Sequence, residues 1–164
     1  MKRAILSSLL VFFITIPLIA AKEQTRIDMD SWKYDIVSVG EGQQGSYKIK
    51  VWTCSKKNTF SEELCKKYAV HGVLFKGISA YKGTSAKKPL IKDPQAKIEF
   101  DDFFQTFFAD GGEYNRFVQF TSGTPEIIKV GKEKKIGIIV LVKKDELRKY
   151  LEETGIRKAL DSGF

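Results

Sequence analysis

The sequence predicts a single α+β domain: a mixed β-sheet of about five strands with two or three helices packed on it. Three observations carry that expectation. Two alternating segments flank a glycine-rich turn at residues 34–53. Residues 136–142, "IGIIVLV", form the strongest apolar run beyond the N-terminal leader. Between them, five phenylalanines recur at the spacing of one helical face.

The order of elements starts with "MKRAILSSLLVFFITIPLIAA". Lys2 and Arg3 precede an almost unbroken apolar stretch that closes on two alanines before polar "KEQTR". This is the pattern of a cleaved secretory signal peptide over residues 1–21. The apolar stretch is short for a membrane span, which takes roughly 20 residues. Residues 22–31 read as a polar leader, and residues 32–164 as the domain. Loss of Lys2 and Arg3 with the signal would lower the formal charge of +8 to +6. A basic balance of that size favours anionic neighbours. The lysines are scattered in short groups, and no nucleic-acid recognition motif is present. With an export signal in front, nucleic acid is not an expected partner.

Residues 34–39, "YDIVSV", and 47–53, "YKIKVWT", alternate as half-buried strands joined by "GEGQQGS". That turn lacks G-x-G-x-x-G or Walker spacing, so it does not read as a phosphate cradle. Thr59 and Glu62 have the form of a capping box, which predicts a helix near 60–68. "AVHGVLFKGI" then reads as an interior strand, apolar on both faces and joined to the preceding strand by a parallel crossover. Residues 79–97 hold two prolines and five lysines and read as a long surface loop. Lys87, Lys88 and Lys92 of this loop are the expected contact site.

Phe100, Phe103, Phe104, Phe107 and Phe108 fall on one helical face, with Asp101 and Asp102 in the first turn and Gly111 and Gly112 as the stop. "EYNRFVQF" reads as a strand. "TSGTPEIIKVGKEKK" reads as a long excursion with short extended pieces. After the central strand at 136–142, residues 144–154 predict a helix with Leu147, Tyr150 and Leu151 inward.

The chemistry on offer is sparse. His71 is the only histidine, and no G-x-S-x-G or catalytic-cysteine signature accompanies it. A lone histidine cannot anchor a multi-histidine metal site. "ADGGEYN" lacks the ligand pattern of a calcium loop. No cofactor or metal is expected. Cys54 and Cys65 permit a disulfide in an oxidising compartment, or stand as two separate thiols; spacing alone leaves both open. Trp52 shares a strand face with Lys48 and Lys50, either as a binding surface or packed beneath a neighbouring element.

The segments "QGSYKIKVWTCSKK", "CKKYAVHGVLFKGI", "FFQTFFADGGEYNRFV" and the closing "SGF" together resemble a group of uncharacterised secreted bacterial envelope proteins. A much fainter likeness, in element order alone, is to envelope domains of the curli-secretion and penicillin-binding-protein-activator type. The resemblance implies an envelope location and no particular chemistry. The functional expectation is a non-enzymatic exported protein of the periplasm or cell envelope. It would bind or help assemble an envelope protein or an anionic envelope polymer, touching membrane only through its signal peptide or peripherally. The alternative is a small periplasmic hydrolase or ligand-binding enzyme using His71. A third possibility is an apolar ligand beneath the phenylalanine helix, which would require an open cavity there.

Overall fold

The computed structural model describes residues 25–55 and 61–156. The signal-peptide reading at 1–21, Thr59 of the capping box and the closing "SGF" lie outside the described residues. Five strands, β1 (Tyr34–Glu41), β2 (Tyr47–Ser55), β3 (Val118–Phe120), β4 (Glu126–Val130) and β5 (Glu133–Val142), make one sheet. With helices α1 (Glu62–His71), α2 (Ala96–Glu99), α3 (Asp101–Phe107) and α4 (Lys144–Glu153), this is the single α+β domain expected.

β5 is the centre of the sheet, as its apolar run requires. It pairs with β2 along one side, while β3 and β4 share the other side. β1 pairs with β2. All four ladders are antiparallel, and the one parallel contact is an isolated bridge from Val37 to Ser79. Alternation then sorts the side chains. Ile49 and Val51 of β2 and Ile136, Ile138, Val140 and Val142 of β5 join the core. On the opposite face Trp52 stands across from Gly137. A methyl group on Gly137 would lie 2.6 Å from Trp52 Cζ3, so this glycine is the bed on which the indole packs. Trp52 is thus a packing residue, with Lys50 and Lys135 over its ring.

The parallel crossover expected at "AVHGVLFKGI" is not formed. α1 is capped by the Ser61 side chain, which accepts from Leu64 N (3.3 Å), and runs on to His71. A π-helical turn over Gly72–Lys76 continues it. Ala69, Val70, Val73 and Leu74 are at most 1% exposed, so the segment is apolar on every side because it is buried on every side. Gly72 allows the close approach: a methyl there would run into Ile36 Cδ1 and touch Tyr34.

The phenylalanine face is confirmed in part. Phe104, Phe107 and Phe108 are fully buried, and each contributes roughly 1.5–3 kcal/mol of burial. Phe100 interrupts the helix and divides it into α2 and α3; with Phe103 it packs partly buried against the core. Residues 113–117 form a 3₁₀ turn before β3 where a strand was expected. Residues 25–31 are held rather than loose. Gln105 exchanges two hydrogen bonds with the backbone of Ile27, and Arg26 pairs with Asp101 and Asp102.

Candidate functional site

The expected contact residues Lys87, Lys88 and Lys92 lie on a loop that the π-helical turn anchors. A π turn shifts the backbone bonding by one residue and leaves carbonyls for other donors. Here the carbonyls of Val73 and Leu74 accept from Leu90 N (3.0 Å) and Ile91 N (2.9 Å). Upstream, Ile78 and Lys87 exchange two backbone hydrogen bonds of 2.8 Å. Gly77 sits at φ +78, and a side chain there would collide with Lys87 O, so only glycine lets the loop run this close. Ile91, 4% exposed, plugs the loop into the core.

So held, the loop forms one wall of a cavity of about 350 Å³. Lys87, Lys88 and Lys92 line it from the loop, Tyr47 from β2, and Arg148 and Leu151 from α4. Among the described residues, none of these four cations forms an ion pair. Arg148 Nε is buried without a hydrogen-bond partner among the described residues. A buried donor left unsatisfied costs about 1–3 kcal/mol. Arg148 presents a planar fork of donors suited to carboxylate or phosphate groups.

A second cavity of about 180 Å³ adjoins the first and shares Tyr47 and Lys87 with it. Lys48, Lys144 and the glycine-rich turn between β1 and β2 complete its walls. Lys144 is committed to Asp145 at 2.7 Å, an interaction that holds that carboxyl below its ordinary range. A third, more open cavity of about 500 Å³ lies by α2 and α3. It is larger, but both of its cations are paired, Arg26 with Asp101 and Asp102 and Lys97 with Asp30, and its lining is net acidic. Unpaired cations, not volume, distinguish the Lys87 cleft.

His71 occupies a different setting. It is 3% exposed, ringed by Trp32, Tyr34, Phe75 and Phe108, and lines none of the three cavities. Burial first, then the nearby charges of Lys97 and Lys76, lowers its pKa to about 3. The Tyr34 hydroxyl lies 2.6 Å from Nδ1, while Nε2 has no polar partner among the described residues. Phe104, Phe107 and Phe108 pack ring against ring with Phe75, Phe103 and Tyr114, and none of them borders those cavities.

Cys54 and Cys65 are not bridged. Cys54 is exposed near the end of β2, and Cys65 is buried on α1, where burial pushes its thiol up to about 12. Asp110, beside the double glycine, bonds to Lys67 at 2.6 Å, and no cluster among the described residues is arranged to hold a metal ion.

Arg148, Tyr47, Lys48 and Lys144 were not among the expected site residues. One signal pointed to the helix: Lys144, Arg148 and Leu151 stand at i, i+4 and i+7 and share a face. These features define a small α+β domain with a basic, anion-suited cleft. Comparison with family models, with curated proteins and with solved structures finds no match to this chain.

Proposed function

We propose that this chain is a non-enzymatic exported protein of the cell envelope that binds or helps assemble an anionic envelope component. Its contact site is the cleft of Lys87, Lys88, Lys92 and Arg148. The observation that carries this reading is four cations around one cavity whose lining holds no acidic residue, none of them ion-paired among the described residues. The apolar leader of residues 1–21 supports export, and the sparse catalytic inventory supports a binding role. The rival hydrolase reading would need a substrate to reach His71, which is buried against aromatic rings.

The test is capture from an envelope fraction with tagged protein. Replacing Lys87, Lys88 and Lys92 by Gln should abolish recovery of the bound component. Replacing Lys129, Lys132 and Lys134 of the β4–β5 hairpin removes the same charge elsewhere and should leave recovery intact. Unchanged recovery with the first variant would overturn the assignment.

A further inference from the structure

The two cavities share a wall, and that relationship narrows the ligand. Tyr47 and Lys87 line both, so the two cavities lie side by side. The first lobe holds Lys88, Lys92 and Arg148, the second Lys48 and Lys144, with Lys87 between them. α4 runs past both lobes: Lys144 and Arg148 stand on one face a turn apart, roughly 6 Å along the axis. A single small anion in the first lobe would leave Lys48 of the second unmet, Lys144 being already paired with Asp145.

The remaining lining supplies a second constraint. Gln43, Gln44, Ser38 and Ser46 in the second lobe offer amide and hydroxyl groups that both donate and accept. Tyr47 presents an aromatic ring at the junction, half-buried and partly covered by Lys144 at 5.5 Å. Cations for negative groups, amides and hydroxyls for hydroxyls, and an aromatic ring for an apolar face are together the complement of an acidic sugar. An acidic peptide would use the cations and leave the ring and much of the hydroxyl lining unmatched.

We infer that the two lobes form one cleft for a short stretch of an acidic glycan. Two sugars separated by one unit place their carboxylate or phosphate groups in the two lobes, and the unit between them lies on Tyr47. This rests on the anion-binding reading above and specifies its ligand.

Calorimetric titration of the purified protein tests it. The probes are galacturonate and trigalacturonate for carboxylates, and glucose 1-phosphate and a short sugar-phosphate oligomer for phosphates. Maltotriose and triglutamate are the controls for sugar without charge and charge without sugar. At least one acidic oligomer should bind about tenfold or more tighter than its monomer, the effect of about one added charge contact. Both controls should fall at or below the monomer. A Lys48→Gln/Lys144→Gln variant, checked for an unchanged circular dichroism spectrum and melting temperature, should bring the oligomer down to the monomer's affinity. If that variant melts differently, Lys48→Gln alone serves, with a smaller loss in the same direction.

Equal affinity for monomer and oligomer, or an oligomer indifferent to the second-lobe variants, overturns the two-lobed site while leaving anion binding standing. Triglutamate binding as tightly as the acidic oligomer overturns the sugar assignment. Failure of every acidic probe, triglutamate included, contradicts both this inference and the reading beneath it.

Discussion

The Tyr34 hydroxyl meets Nδ1 of His71 at 2.6 Å inside a shell of aromatic rings, joining β1 to the end of α1. Burial keeps the tyrosine protonated by raising its pKa, and keeps the imidazole neutral by lowering its own. The bond therefore ties sheet to helix without a buried charge. Such a pair is a structural fastener, in keeping with a histidine that lines none of the three cavities described.

This burial makes stability depend on pH in a defined direction. An unfolded histidine takes up its proton near 6.5, the buried one only near 3. Between those values the unfolded state binds more protons, so stability falls as pH falls. The loss from pH 7 to pH 5 should be about 2 kcal/mol. Asp30, Asp101 and Asp110 also have lowered values, through Lys97, Arg26 and Lys67 respectively. Their contributions are present above about 3.8 and lost below it, outside this window. Urea denaturation at both pH values checks the effect, and His71→Gln should flatten the difference. An equally steep loss in that variant would assign the pH dependence elsewhere.

Gly72 carries the contact between the extended α1 segment and β1. Gly72→Ala should destabilise the fold by about 1–3 kcal/mol, because the new methyl overlaps Ile36 Cδ1. Ile36→Val removes that carbon, so the double variant should be less destabilised than the two single losses added together. Strict additivity in a double-mutant cycle would show that the two residues do not meet.

The cysteines give a direct count. Cys54 is exposed and Cys65 buried with a raised pKa, so a thiol reagent at pH 8 should titrate one group in the native protein and two after denaturation. Reductant should leave the melting temperature unchanged. No reactive thiol after denaturation without reductant would indicate a disulfide instead.

The parts of the fold legible in the sequence were those with a clear period. β1, β2 and α4 each bury one face, and alternation or helical spacing reports such burial directly, while β5 was marked by its unbroken apolar run. "AVHGVLFKGI" was misread because it is buried all round, which erases the periodicity separating a strand from a helix. β4 escaped for the opposite reason: Ile127, Ile128 and Val130 are all exposed, so neither face is marked by polarity. The loop lysines were legible as a cluster from composition. Their companions Arg148 and Tyr47 come from elements far away in the chain, and only the folded arrangement brings them together.

Amine labelling tests the central claim most directly. Lys87, Lys88, Lys92 and, as references, Lys129 and Lys132 are modified in the purified protein and in the native envelope fraction, then quantified by mass spectrometry. Occupancy of the cleft predicts that Lys87, Lys88 and Lys92 are protected several-fold in the envelope while Lys129 and Lys132 label equally in both. Equal labelling of all five lysines in the two samples would contradict it.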